Sequence, residues 1–163
     1  MTRLSKAILV SAAFLTSALG ANAEPANSAL LDDAKSFMKS YATDLQIGNR
    51  DAVSNRYDAR GAYFVGQGKK TFMTVEQIKK TYQESWKPPA SFAWSDLSYE
   101  VIGNNAVVVV GGFDLGISDK KALHFSYSAL LVRSDGNLRI RLEDESPLPP
   151  QPASTGDAAN DRK

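Results

Sequence analysis

The stretch LLVRSDGNLRIRLEDES, residues 130–146, decides the fold class. Apolar and polar side chains alternate on both sides of Asp135-Gly136, which is the pattern of two half-buried strands. An Asp-Gly pair between two such runs is a strong signal for a two-residue type I′ turn. The segment therefore predicts an antiparallel hairpin in which Ser134 pairs with Asn137.

Counting away from this turn sets the register of the hairpin. It places Leu131 opposite Ile140, and further on it places Tyr127 opposite Asp144. Residues directly opposite share a face of the sheet. One face then carries Phe125, Tyr127, Ala129, Leu131, Ile140, Leu142 and Asp144. The other face carries His124, Ser126, Ser128, Arg139, Arg141 and Glu143. We expect the apolar face to be buried.

Asp144 is the residue whose placement matters most for function. In the predicted register it ends the inner face beside Tyr127, where a carboxylate could reach a pocket. The alternative is a solvated charge at a frayed strand end, and a shift of one residue would exchange the two faces. His124 falls among serines on the outer face, which favours a solvated surface histidine over a base.

Upstream of the hairpin the chain predicts more strands and, before them, helices. Turn residues at 103–105 and 118–121 divide residues 92–145 into a meander of four strands. Helix-period apolar residues occur at 30–45, Asn49 can cap a short second helix, and Thr74 begins a third. Residues 61–65 read as a strand with a short partner. Helices followed by one sheet predict an α+β domain.

The two ends of the chain predict export and a tail. Residues 1–23 have a basic start, an apolar run and the small-x-small pattern Ala21-Asn22-Ala23, which together resemble a cleaved secretory signal. A short lead, 24–29, would precede the domain at 30–146. Residues 147–163 contain too few apolar side chains to fold, and we expect a disordered tail. The expected location is therefore periplasmic or secreted.

Composition narrows the function classes. The chain has no cysteine, which removes disulfides, thiolate metal sites and a lipid-anchor acceptor. Its formal net charge is +1, so we expect neither nucleic-acid binding nor attraction to anionic membranes. The acids at 143–145 alternate between faces, which argues against a metal site.

Two segments resemble the nuclear-transport-factor-2-like superfamily, particularly its polyketide-cyclase-like and uncharacterised bacterial branches. These are YATDLQIGNRDAVSNRYDARGAYF at 41–64 and the hairpin at 130–146. The resemblance implies a cone-shaped, curved antiparallel sheet packed against three N-terminal helices. Two positions depart from the family pattern, because Leu138 stands at the usual tryptophan and Asp144 where a histidine is common.

Two functions stay open for the cone, and the resemblance implies the second of them. One is binding of an apolar small molecule, or an accessory role, in a pocket lined by Tyr41, Tyr57, Tyr63, Trp86, Trp94, Asp114 and Phe125. By default such aromatic residues are core packing, and the orientation of Asp114 depends on the length of the loop at 118–121.

The other is isomerase, dehydratase or cyclase chemistry without an organic cofactor. Asp144 would then be a general base, Tyr127 would donate a hydrogen bond to an enolate oxygen, and Asp114 would be a possible second carboxylate. The resemblance also implies a homodimer through the outer sheet face, where Leu130 and Val132 interrupt a polar surface.

Overall fold

The computed structural model describes residues 23–118 and 121–149; the predicted signal sequence, apart from Ala23, and the tail from residue 150 lie outside this part of the chain. Its elements are α1 (Ala23–Ile47), α2 (Arg50–Ser54), β1 (Ala62–Gly66), β2 (Lys69–Met73), α3 (Val75–Glu84), β3 (Ser91–Ile102), β4 (Ala106–Ser118), β5 (Lys121–Ser134) and β6 (Asn137–Pro147). The predicted α+β order of helices and strands is confirmed.

The local signals for the helices act as expected, with one exception. The Asn49 side chain accepts a hydrogen bond from the Ala52 amide and caps α2. Thr74 and Gln77 form a reciprocal capping box at the start of α3. The exception is α1, which is already helical at Ala23, so the residues that were expected to lead into the domain are part of its first helix.

All six strands form one curved, unclosed sheet in the order β2-β1-β6-β5-β4-β3. The sheet is mixed because β1 runs parallel to β6, while every other neighbouring pair is antiparallel. At the turn between β5 and β6, Asp135 and Gly136 both have positive φ, 50° and 77°. A type I′ turn requires this conformation, and Ser134 pairs with Asn137 as predicted.

The core lies between α1 and the inner face of the sheet. The buried stripe of α1 consists of Leu30, Ala34, Met38, Tyr41 and Leu45. The sheet contributes Val107, Val109, Ala129, Leu131 and Ile140. Burying each of the larger aliphatic side chains contributes about 1.5–3 kcal/mol. The concave side of the sheet is therefore lined by buried apolar side chains, and the candidate site lies on that side.

Candidate functional site

A β-bulge in β6 decides which acid enters the concave side. Leu131 pairs with Ile140 as predicted, but Leu130 pairs with Leu142, so Arg141 is an extra residue without a partner on β5. The bulge reverses the inward and outward alternation for the rest of β6. Glu143 therefore points inward.

The predicted inward placement of Asp144 is wrong for the same reason. Asp144 pairs with Ser128 instead of Tyr127 and lies on the outer face, where it accepts a hydrogen bond from the Ser146 hydroxyl at 2.7 Å. Glu143, which the predicted register had assigned to the outer face, is 2% exposed. The carboxylate in the cone is thus the residue next to the one expected.

Tyrosine hydroxyls surround the Glu143 carboxyl. Tyr57 donates to Oε1 at 2.6 Å, and Tyr127 donates to Oε2 at the longer distance of 3.4 Å. The Tyr57 oxygen lies 3.1 Å from that of Tyr41 and 2.8 Å from that of Tyr82. When Glu143 is a carboxylate, the single Tyr57 hydrogen is directed to it and the Tyr41 and Tyr82 hydroxyls donate to Tyr57. We call these five residues the tyrosine–Glu143 cluster.

The backbone explains how Tyr57 reaches the centre of this cluster. Tyr57 forms an isolated parallel bridge with Ile140, and the flanking bonds are Ile140 amide to Arg56 carbonyl and Asp58 amide to Ile140 carbonyl. This short extended segment adds to the edge of β6 just before the bulge. Tyr57 therefore projects inward beside Glu143, although it belongs to the connection after α2.

The cluster raises the pKa of Glu143 to about 8. Burial is the largest cause, because it disfavours the charged form, and Glu145 adds a repulsive charge. The hydrogen bonds from Tyr57 and Tyr127 oppose the rise, since they stabilise the carboxylate. Glu143 is therefore mainly protonated at neutral pH, and it can donate as well as accept.

Glu145 lies on the same face, one pair further along the strand, opposite Tyr127. Its position in the concavity raises its pKa to about 7, first through desolvation and then through the charge of Asp144. Much of the residue nevertheless remains exposed to solvent. Water reaches Glu145, and its pKa is raised less than that of Glu143.

Half-buried aromatic rings connect the cluster to solvent. On one side Tyr82 packs edge-on against Trp86, with ring centroids 5.4 Å apart. On the other side Trp94 packs against Tyr127 at 4.7 Å, and its indole nitrogen donates to the Met38 carbonyl at 2.9 Å. Phe125, also half-buried, stacks on Phe113 at 4.7 Å. Tyr41, Tyr57, Trp86, Trp94 and Phe125 thus lie in or around the concave core.

Two residues expected in the pocket are outside it. Tyr63 is on the outer face, because inward alternation in β1 falls on Ala62 and Phe64; its ring packs against Phe72 at 5.1 Å. Asp114 pairs across the sheet with His124, and their side chains form a 2.5 Å contact in which both are exposed. His124 occupies the outer face, as its register indicates.

Sequence reasoning missed Glu143 as a member of the site and interpreted Tyr82 as an aromatic core residue by default. Tyr82 lies in the apolar stripe of α3, where a tyrosine gives no sign that its hydroxyl meets another one. Glu143 was assigned outward by a correct count that could not include the bulge.

Within residues 23–118 and 121–149, no group of three His, Asp or Glu side chains is arranged to hold a metal ion. No helix in these ranges is long and apolar enough to cross a membrane.

Comparison with solved structures identifies the fold. The sequence matches no protein-family model and no curated protein. A nuclear-transport-factor-2-like protein of unknown function from Shewanella oneidensis superposes with a TM-score of 0.64 at 18% identity, covering 72% of this chain and 98% of that one.

Two further similar structures have names that refer to enzymes. A ketosteroid isomerase-like protein from Erwinia carotovora atroseptica has a TM-score of 0.60 at 14% identity, covering 74% of this chain and 97% of its own. A scytalone dehydratase-like protein from Novosphingobium aromaticivorans has a TM-score of 0.61 at 11% identity, covering 77% and 89%. Together with the described topology, these similarities show that the chain has the nuclear-transport-factor-2-like cone fold, as the resemblance implied.

Proposed function

We propose that the protein binds a small, mainly apolar molecule that carries one hydrogen-bonding group, at the concave side of the cone. The observation that carries this proposal is the buried Glu143 carboxyl, whose side-chain hydrogen bonds within the described residues come from tyrosine hydroxyls, with half-buried aromatic rings leading outward from it. Apolar walls with a few convergent polar groups are the usual composition of a small-molecule site.

The polar group of the ligand has a defined partner in this proposal. Tyr82 is half-buried, and when its hydroxyl donates to Tyr57 its oxygen can accept from a ligand hydroxyl. Protonated Glu143 can donate to a carbonyl. Ligand entry requires the rings around Tyr82 to move, because Glu143 itself is almost fully covered.

Intrinsic fluorescence offers a direct test, because the only two tryptophans of the chain, Trp86 and Trp94, flank the cluster. We expect the bicyclic ketone 2-decalone to change this fluorescence in a saturable way. Glu143→Leu keeps an apolar wall but removes the donor, so it should weaken binding about tenfold, the equivalent of one buried hydrogen bond.

Asp144→Asn is the matched control, since it alters the adjacent outward acid and should leave the affinity unchanged. Absence of a saturable change, or equal affinity in Glu143→Leu, contradicts the proposal. Native mass spectrometry of protein from the producing cells, searching for a copurified small molecule, addresses the natural ligand.

Acid–base catalysis is the second candidate function, and a specific observation favours it. A carboxyl group with a pKa raised to about 8, flanked by phenol donors, is matched to proton transfer near neutral pH. Two of the similar structures are named after an isomerase and a dehydratase. In this reading Glu143 would exchange a proton with carbon next to a substrate carbonyl, and Tyr57 and Tyr127 would stabilise its anionic form.

Deuterium exchange tests the second candidate with the same probe. The protons next to the carbonyl of 2-decalone should exchange in heavy water faster with the protein than without it, and Glu143→Gln should remove the acceleration. Binding without accelerated exchange supports the binding role alone.

We further propose that the protein acts after export. The support is the pattern of residues 1–23, with Ala21-Asn22-Ala23 before the expected cleavage point. The intact mass of protein recovered from its native compartment should correspond to a chain that starts at Glu24. Retention of Met1 in that material contradicts export by cleavage.

A homodimer through the outer sheet face is a further proposal. Apolar side chains Val108, Val110, Leu130, Val132 and Leu142 share this face across β4, β5 and β6. Val110 is half exposed, which favours a covered surface. Light scattering at micromolar concentration should give twice the chain mass, and Val110→Asp should give the monomer mass; a monomeric wild type contradicts the proposal.

A further inference from the structure

A further concavity at α1 is lined by none of the five residues of the tyrosine–Glu143 cluster. It has a volume of about 300 Å³ and lies between α1 and the turn that joins β5 to β6. Its polar lining includes Asp33, Ser36, Ser40, Arg56, Arg133 and Arg139. We call this concavity the arginine notch. None of the functions considered above uses it.

The charge of the arginine notch favours an anion. Three arginines line it, against Asp33 in the lining and Asp44, which is bonded to Arg56. Ser36 and Ser40 also line the notch, one helical turn apart on α1. The Ser40 hydroxyl donates to the Phe37 carbonyl at 3.0 Å, so Ser36 is the serine whose hydroxyl can donate to a ligand. Guanidinium groups together with hydroxyls are the donors that proteins use for phosphate oxygens.

Arg56 forms a fixed part of the notch. Its guanidinium donates through Nε to Asp44 at 3.0 Å and through Nη1 to the Phe37 carbonyl at 3.3 Å. The group also lies over the rings of Phe37 and Tyr41, at 4.9 and 5.3 Å from their centroids. The side chains of Arg56 and Asp44 are only 13% and 16% exposed. A ligand would therefore not displace this pair.

Arg133 is held much more loosely than Arg56. It donates to the Gly136 carbonyl at 2.9 Å, which orients its guanidinium, and to Asp33 at 2.5 Å. The side chains of Arg133 and Asp33 are 33% and 54% exposed, and an ion pair so open to water is weak. Within the described part of the chain, these two bonds engage only two of its five N–H groups.

We propose that the arginine notch binds a phosphate group, and that Asp33 occupies the Arg133 fork when the ligand is absent. A phosphate dianion can accept two parallel bonds from Arg133 and a further bond from the Ser36 hydroxyl, whereas Asp33 accepts one from Arg133. The incoming phosphate would take the place of Asp33 on Arg133. Arg56 would remain paired with Asp44, where it forms part of the notch wall and adds positive electrostatic potential.

This exchange predicts that removing an acid improves binding. The probe is inorganic phosphate at pH 7.5 and constant ionic strength, followed by amide chemical shifts of the full chain. Wild type should bind saturably, with the largest shifts at Ser36, Ser40 and Gly136. Asp33→Asn should bind about threefold to tenfold more tightly, because the fork no longer has a competing carboxylate.

Two substitutions of Arg133 test the fork itself. Arg133→Gln should weaken binding at least about tenfold. Arg133→Lys keeps the charge but loses the two-pronged geometry, and its affinity should lie between those of wild type and Arg133→Gln. If Arg133→Gln unfolds, the Arg133→Lys result decides.

Glu84→Gln is the matched charge control. Glu84 is in an exposed pair with Lys80 on α3, so the substitution removes one negative charge away from the notch. Its affinity should stay within about twofold of wild type, since exposed charges are screened over about 10 Å. Equal tightening in Asp33→Asn and Glu84→Gln, no saturable binding, or undiminished binding by both Arg133 variants overturns the proposal.

A phosphate carried by a lipid and one free in solution share this chemistry. Vesicles containing phosphatidic acid, compared with phosphatidylcholine vesicles, distinguish the two sources. Sedimentation with the phosphatidic acid vesicles that Arg133→Gln abolishes indicates a headgroup site. Binding of inorganic phosphate without sedimentation indicates a soluble phosphate ligand, and both results support the notch as a phosphate site.

Discussion

Among the residues that the structure describes, two carboxylates are buried, and their pKa values are shifted in opposite directions. Asp58 is 0% exposed and Glu143 is 2% exposed. Arg60 donates to both oxygens of Asp58, at 2.8 and 3.0 Å, and these bonds lower the pKa of Asp58. Glu143 has only phenol donors, and its pKa is raised to about 8. At similar burial, the hydrogen-bonding partner therefore decides the direction of the pKa shift: a guanidinium lowers it, whereas phenol donors do not offset desolvation.

Depth reinforces this difference. Asp58 lies just beneath the surface, covered by an Arg60 side chain that is itself 68% exposed, so desolvation opposes but does not outweigh the guanidinium. Glu143 lies in the middle of the concave core, where desolvation is the largest influence. The pKa of Asp58 is therefore lowered by its ion pair, while burial raises the pKa of Glu143.

The largest expected effect is the pH dependence caused by Glu143. Its folded pKa, about 8, is above its ordinary value of 4.5, so between these values the folded state binds more protons than the unfolded state. The contribution of Glu143 to stability is then fully present below about pH 4.5 and is lost as pH rises towards 8, by about 1.4 kcal/mol per pH unit.

Denaturant unfolding of wild type and Glu143→Gln at pH 5.5 and 7.5 measures this effect. The wild type should lose about 3 kcal/mol more than Glu143→Gln between the two values. Glu145→Gln is the control and should remove less, because Glu145 is accessible to water. Equal pH slopes in wild type and Glu143→Gln would show that Glu143 is charged at neutral pH.

The second effect has the opposite sign, because the folded pKa of Asp58 is lowered. Its stabilising contribution is present above its unfolded pKa of about 3.9 and is lost as pH falls through the folded value. Asp58→Asn should cost about 2 kcal/mol at pH 7, after allowance for solvent near Arg60.

The wild-type and Asp58→Asn stability curves should approach each other as the solution is acidified. Asp33→Asn, which opens an exposed pair, is the comparison and should cost less than about 0.5 kcal/mol. A loss for Asp58→Asn that does not change with pH would mean that packing, and not charge, makes Asp58 important.

The third effect concerns the hydroxyl at the centre of the tyrosine–Glu143 cluster. Tyr57→Phe removes the donor to Glu143 and the acceptor for Tyr41 and Tyr82. It should destabilise the fold by about 1 kcal/mol. Because the Tyr57 bond lowers the pKa of Glu143, its removal should move that titration to higher pH.

Carbon-detected NMR of the Glu143 carboxyl group reads this titration, and Tyr82→Phe provides the control. Tyr82 contacts Tyr57 and does not donate to Glu143, so its loss should shift the Glu143 titration less. A downward shift in Tyr57→Phe would mean that Tyr57 does not donate to the carboxylate.

Sequence reasoning succeeded where local chemistry determines the structure. The Asp135-Gly136 turn, the Thr74 cap and the placement of Tyr41 on the buried stripe of α1 each follow from a few neighbouring residues. The α+β order follows from periodicity. These features do not depend on how distant segments meet.

The identity of the buried acid depends on such a meeting. Arg141 is the extra residue of the bulge; its guanidinium donates to the Gly61 carbonyl and lies 5.6 Å from the ring centroids of both Tyr63 and Phe72. These partners come from β1, β2 and the turn before β1. The hairpin sequence contains no signal for these contacts. A count made within the hairpin therefore continues the alternation through Arg141 and places Asp144 inward and Glu143 outward.

The smallest expected effect belongs to Asp144, and it makes the comparison sharpest, because Asp144 and Glu143 are adjacent in the chain. Asp144 is on the outer face with a serine hydroxyl as its partner, and an asparagine can accept the same bond. Asp144→Asn should therefore change the free energy of unfolding by less than about 0.5 kcal/mol and leave 2-decalone binding unaltered. It should also lower the pKa of Glu145, since the charge of Asp144 contributes to the raised pKa of that residue. Unfolding midpoints, ligand titration and the carboxyl NMR signal of Glu145 check the three outcomes in one protein preparation. A large loss of binding in Asp144→Asn, with little change in Glu143→Leu, would mean that β6 has no bulge at Arg141 and that its outward acid is the one in the cone.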